Sequence, residues 1–445
     1  MGTISDIQAL EILDSRGYPT IMATVSLVDG TTGTAKVPSG ASTGVHEAVE
    51  LRDQASRYQG KGVQKAIEGI HNEIRPLLLG QDPHIQGEID GLLCRLDNTP
   101  NKSRLGANAI LAVSLAVSRA AAQYNRQAYY DYIHQMYRLM DHDLPTRSPV
   151  PSMILPTPMM NVINGGVHAD NPLDIQEFMI VPLGAPSWKE ALRFGAEVFY
   201  ALKKILKSKG LQTAVGDEGG FAPDLQNTRV VLDLLCLAIE TVGFKPGREI
   251  ALALDLASSA FYDQGQYRLS SENQIFDRAH WVDYLADCID QYPIVSLEDA
   301  MAEDDYEGWQ HLTQRLGQRV QLVGDDLFVT DAKRLAHGVT SAMANAILIK
   351  PNQIGTLTET IGSVILAQKN SYGVIISHRS GETEDTTIAD LAVGLCAQQI
   401  KTGSLSRSDR LAKYNRLLEI ESESLIQNGT GLAYAGIGPL RRFYS

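Results

Sequence analysis

Five times in the second half of the chain, a short apolar run ends on one ionisable side chain. Ile250-Ala-Leu-Ala-Leu leads into Asp255, Pro293-Ile-Val-Ser-Leu into Glu298, Val320-Gln-Leu-Val-Gly into Asp325, Ala346-Ile-Leu-Ile into Lys350 and Gly373-Val-Ile-Ile-Ser into His378. Three carboxylates gathered in one pocket repel one another unless positive charge sits between them. Oxygen ligands of this kind select a hard divalent cation, usually Mg2+, over zinc. Lys350 and Lys401 add cations; a lysine crowded by other cations and desolvated has a lowered pKa and can act as a general base. The alternative is a lysine that only neutralises the acids. Arg379 and Ser380 follow His378 directly, and an arginine fork matches a phosphate group. Glu218, inside Gly216-Asp-Glu-Gly-Gly220, is either a general acid or a solvated turn carboxylate. His168, in a polar loop that precedes Gln176-Glu177, is on its own more simply structural.

These residues need elements to hold them. Short runs rich in Ile, Val and Leu, with helical patterns between them, read as parallel strands buried on both faces. Charge at the C-terminal ends of such strands suits the open face of a (β/α)8 barrel, where solvation is kept. The first part of the chain differs. Residues 4–13 and 20–28 read as antiparallel strands joined by a Gly/Pro turn, with a third strand near 33–37. A Gly/Ser loop, Ser39-Gly-Ala-Ser42-Thr-Gly44, then runs into a helix, and helical patterns follow over 62–80, 86–97 and 105–124. Strands first and helices after is an α+β layout. Prolines 145, 149, 151, 156 and 158 mark a connection. The expected division is an N-terminal α+β capping domain, 1–140, with a mobile lid loop at 38–46, and a TIM-type α/β barrel, 141–445.

Composition narrows the field. The 445 residues are long enough for a barrel and a second domain. A net charge of −13 argues against a phosphate-backbone binder, so no nucleic-acid partner is expected. The four cysteines are scattered without a Cys-x-x-Cys pair and read as free buried thiols. The N-terminus has neither a basic nor a long apolar region, and the most apolar stretch, 107–122, is interrupted by Ser114, Ser118 and Arg119. A cytoplasmic protein without a membrane partner is expected.

Several segments resemble the enolase family: SGASTGVHEA at 39–48, HADNPLDIQEFM at 168–179, VGDEGGFAP at 215–223, VSLED at 295–299, VGDDLFVT at 323–330, IKPNQIGTLTET at 349–360 and SHRSGETEDTTIADL at 377–391. The resemblance implies a hydro-lyase of glycolysis and gluconeogenesis that reversibly dehydrates 2-phospho-D-glycerate to phosphoenolpyruvate with two Mg2+. It implies Lys350 as the base, Glu218 as the acid, Glu177 supporting Glu218, and Asp255, Glu298 and Asp325 as ligands of the tighter metal. Lys401 would meet the substrate carboxylate, Arg379 and Ser380 the phosphate, His168 the phosphate end, and Ser42 the second metal, with His378 completing the pocket. It further implies a homodimer or a ring of dimers. Ala260, Tyr18 and the tail from Ile426 depart from the family pattern and leave room for a paralogue acting on a related phosphonate or phosphate. An accessory, non-catalytic binding role is the other alternative. Gly40-Ala-Ser42-Thr-Gly44 also fits a serine-hydrolase nucleophile motif, but such an enzyme has no use for three metal-spaced acids and two strand-end lysines.

Overall fold

The computed structural model describes residues 2–40, 44–142, 151–225 and 227–444. Ser42 and the first part of the proline-rich connection, 143–150, lie outside them. The chain opens with an antiparallel sheet in the order β1 (Ile4–Leu13), β2 (Pro19–Leu27) and β3 (Thr32–Lys36). β2 alternates buried and half-buried residues over most of its length, the period expected of a sheet with one covered face. The cover is the helix Ala107–Tyr124, nearly all of whose residues are buried. It approaches so closely that a methyl group on Gly33 would lie 2.1 Å from the Ala120 nitrogen.

The sequence predicts a helix after the Gly/Ser loop, and the structure has none over 44–55. The reason is where the backbone bonds go. Ala48 N–H donates to Gln353 O, Val49 N–H to Asn101 O and Leu51 N–H to Asn108 Oδ1. Partners on other elements take the groups that a helix would pair internally. The 62–80 pattern is helical but broken, Gln64–Gly69 and Arg75–Leu78 flanking a π-turn at Ile70–Ile74.

The second part is a closed eight-stranded barrel. Its first members are β4 (Thr157–Asn164), β5 (Glu177–Val181) and β6 (Ala251–Asp255). A small antiparallel sheet then interrupts, made of β7 (Tyr262–Asp263), β8 (Gln266–Leu269) and β9 (Gln274–Asp277). β10 (Ile294–Glu298), β11 (Gln321–Gly324), β12 (Ala346–Ile349), β13 (Gly373–Ser377) and β14 (Gln399–Lys401) follow, and β14 closes onto β4. The five charged strand ends therefore belong to five consecutive parallel strands, as their sequence pattern predicts. One departure from a regular barrel is β5, which pairs antiparallel with both neighbours. The segment between β4 and β5 has only a single 3-10 turn, too little for the crossover that a parallel return requires.

Inside the barrel, Met179, Val181, Ala251, Ala253, Val323, Ala346, Leu348 and Ile375 form an apolar cluster of their own. The 3-10 turn Gly438–Phe443 presses the fully buried Leu440 into it. The N-terminal sheet meets the barrel through Asp385, which pairs with Arg119 at 3.0 Å and accepts the Lys36 N–H at 2.9 Å. Among the described residues no helix is long and apolar enough to cross a membrane.

Candidate active site

Side chains alternate along a strand, so the residue two beyond an inward-facing one faces inward again. Ala251 and Ala253 precede Asp255 in this way, Val323 precedes Asp325, and Ala346 and Leu348 precede Lys350. These three apolar runs thus lift their last, ionisable residues into the mouth of the barrel. The reversed β5 delivers Glu177 to the same mouth from its first position, in register with Asp255 on one side and Asn164 on the other. The result is a cavity of about 240 Å3 that carries His168, Glu177, Glu218, Asp255, Asp325, Lys350, His378, Arg379, Ser380 and Lys401 on its walls. Glu298 stands beside them, fully buried. Of the candidate site residues named from the sequence, only Ser42 lies outside the described part of the chain.

Lys401 is the hub of the charged set. Its Nζ lies 3.0 Å from Glu177 Oε1, 2.9 Å from Asp255 Oδ2 and 2.8 Å from Glu298 Oε1. Burial works to lower its pKa, but these carboxylates outweigh burial and hold it well above the usual lysine range. Lys350 Nζ lies 2.5 Å from Asp325 Oδ2. Here too burial lowers and Asp325 raises, and the net direction is up. The lowered pKa expected for Lys350 is therefore not what this arrangement gives: the sequence shows the cations Arg379 and Lys401 but not that Asp325 touches the amine.

Glu218 sits between two imidazoles, 3.6 Å from His168 Nδ1 and 3.4 Å from His378 Nε2, and its Oε2 accepts from Asn161 Nδ2 at 2.9 Å. Burial pushes both imidazoles toward their neutral forms. Burial works to raise Glu218, and His168, His378, Arg410 and Lys401 together outweigh it, so its pKa is held well down. With the imidazoles neutral, Arg410 and Lys401 carry the lasting positive charge. Glu177 goes the other way, pushed up by burial and then by Glu218. The two neighbouring carboxyls are thus pushed in opposite directions.

The acids suit a divalent cation. Burial, and then the neighbouring Asp255, pushes Glu298 well above the usual carboxylate range, and its Oε2 is buried without a hydrogen-bond partner among the described residues. Among the described residues two groups bring their ligand atoms within 4.8 Å of one another, His168 with Glu177 and Glu218, and Asp299 with Asp325 and Asp326. The trio Asp255, Glu298 and Asp325 is not among the groups meeting that spacing; Lys401 lies against the first two and Lys350 against the third. Asp299 and Asp326 are additions that the sequence signals only as the doubled acids Glu298-Asp299 and Asp325-Asp326. Asp299 also accepts the N–H groups of Asp325 and Asp326, both at 2.9 Å, and so shapes the turn. Burial, then Asp325, pushes Asp326 up to about 8.

Residues 152–440 match the family described as enolase, C-terminal TIM barrel domain, and residues 4–133 match enolase, N-terminal domain. The chain belongs to the enolase family. This is a lyase-type family, Mg2+-dependent and acting on phosphorylated small molecules, and the oxygen-rich donor set at the barrel mouth fits that metal. Within the enolase fold seen here, further buried residues support the site. Glu47 pairs with Arg379 at 2.8 Å, and Arg410 reaches the backbone carbonyls of Asp217, Arg379 and Ser380. Neither stands at a strand end, so the pattern that reveals Asp255 or Lys350 passes over them.

Proposed function

We propose that the protein catalyses the reversible dehydration of 2-phospho-D-glycerate to phosphoenolpyruvate in glycolysis and gluconeogenesis, as a cytoplasmic enzyme that assembles as a homodimer or a ring of dimers. The observation that carries the reading is that one enolase-family cavity joins Lys350, a candidate proton acceptor, to Glu218, a candidate proton donor held between His168 and His378. Removing a proton beside a carboxylate generates a dianionic enediolate, which needs concentrated positive charge. Asp255, Glu298 and Asp325 would hold one Mg2+, with Ser42 joining a second from the lid loop. Mg2+ bound there supplies that charge as a Lewis acid.

Lys401, held cationic by three carboxylates, is suited to the substrate carboxylate. Arg379 and Ser380 offer a guanidinium and a hydroxyl to the phosphate, and His168 a neutral imidazole at the phosphate end. Burial, Arg379 and Lys401 all act to free Lys350 of its proton, and Asp325 is the main group opposing them. Once Asp325 is engaged as a ligand, Lys350 can take the C2 proton. Anionic substrate raises the pKa of Glu218, which takes up a proton and then gives it to the departing 3-hydroxyl. The test follows the ultraviolet absorbance of the enol product from 2-phosphoglycerate, with and without Mg2+. Formation of product only with Mg2+ is expected; no turnover, but turnover of a phosphonate analogue, would replace this substrate with the paralogue's.

A further inference from the structure

Arg410 is fully buried in the first turn of the helix Ser408–Asn428. Its Nη1 donates to Arg379 O at 2.6 Å, and its Nη2 donates to Ser380 O at 2.7 Å and to Asp217 O at 3.1 Å. Its Nε lies 2.7 Å from Asp409 Oδ2. One guanidinium therefore ties the loop that carries Arg379 and Ser380 to the loop that carries Glu218. Room for it depends on Gly403, whose φ is +76° and where an added Cβ would fall 2.7 Å from Arg410 Cδ.

The contact with His378 has a chemical consequence. Arg410 Nη1 lies 2.5 Å from His378 Nδ1. A guanidinium only donates, so Nδ1 must accept, and a neutral ring then carries its proton on Nε2. A proton on Nδ1 would set two donors against each other in a buried site. Nε2 faces Glu218 Oε1 at 3.4 Å and has no hydrogen-bond partner among the described residues. The other charged groups acting on the ring, Lys401 and Lys350, are cations that disfavour a second ring proton.

We propose that Arg410 is a positioning residue that fixes His378 as its Nε2–H tautomer, so that His378 can donate toward Glu218 but cannot accept a proton from it. In the opposite tautomer, the bare Nε2 would compete with the departing hydroxyl for the acid's proton. The kinetic part of this inference rests on the dehydration reading; the tautomer does not.

The experiment uses the full-length protein with 15N-labelled histidine and long-range 1H–15N correlations, His378→Gln supplying the assignment. Wild type should show the Nε2–H pattern at His378, and an Nδ1–H or doubly protonated ring overturns the proposal. In Arg410→Met, the ring should shift toward Nδ1–H. Its kcat for dehydration should fall about tenfold to a hundredfold, the range for losing a residue that orients a ligating or reacting group, while exchange of the C2 proton stays near wild type. An unchanged tautomer in Arg410→Met, or equal loss of exchange and dehydration, overturns it. If that variant does not fold, the wild-type spectrum decides. A wild-type enzyme with the Nε2–H pattern but no phosphoenolpyruvate formation would sink the dehydration reading and leave the tautomer assignment standing.

Discussion

Lys350 Nζ rests 2.5 Å from Asp325 Oδ2, so the candidate base and a candidate metal ligand begin as partners. Taking up a cation must loosen this pair before the amine can act. Lys350→Ala is expected to abolish exchange of the C2 proton with solvent, whereas Glu218→Gln should retain exchange and lose dehydration. Proton NMR of 2-phosphoglycerate in D2O reads the first and product absorbance the second. Wild-type exchange in Lys350→Ala would remove the base assignment.

Asp325→Asn should weaken Mg2+ binding by about tenfold or more, since even groups one step removed from a metal change affinity on that scale. Calorimetric titration measures it. An unchanged affinity would take Asp325 out of the metal site and leave its role as the partner of Lys350.

Asp385 gives a pH signature at the contact between the N-terminal sheet and the barrel. Burial works to raise its pKa, but Arg119 and the surrounding donors outweigh it and hold it below the ordinary 3.8. A folded pKa below the unfolded one contributes stability that is present above the unfolded value and lost as pH falls through the folded one. Asp385→Asn should therefore melt below wild type at neutral pH, with the gap closing under acid conditions below about pH 4. A gap that stays constant across melts from neutral to acid would show that the ionised form is not what stabilises this contact.

Leu440→Ala should cost about 2–5 kcal/mol, the usual range for emptying a fully buried leucine site. Urea unfolding would show it. A loss far below that range would mean that the C-terminal turn only covers the barrel interior without packing it.

The strand ends were legible because burial on both faces leaves an uninterrupted apolar run, and the charge after it stands out. Asp255, Glu298, Asp325, Lys350 and His378 are found that way, and Lys401 at the short β14 nearly so. Arg410 and Glu47 could not be found by the same signal, since each reaches the site from an element whose own pattern is ordinary. The helix expected after the Gly/Ser loop failed for a related reason. Its residues allow a helix, but Gln353, Asn101 and Asn108, distant in sequence, take its backbone bonds. The direction of the Lys350 shift was hidden as well, because it depends on which of several nearby charges actually touches the amine.

The reversal of β5 also decides what kind of change the site can tolerate. Glu177 owes its place to a five-rung ladder running from its pairing with Asp255 to that of Val181 with Ala251, and not to the loop before it. Met179 and Val181 share its inward side, while Phe178 and Ile180 belong to the core outside. Residues added to the loop could leave the carboxylate where it is, though they would disturb His168, which the same loop holds 3.6 Å from Glu218. A slip of one rung would turn it outward and push the ring of Phe178 into the space beside Lys401, so the place of Glu177 is far more sensitive to errors of pairing than to loop length.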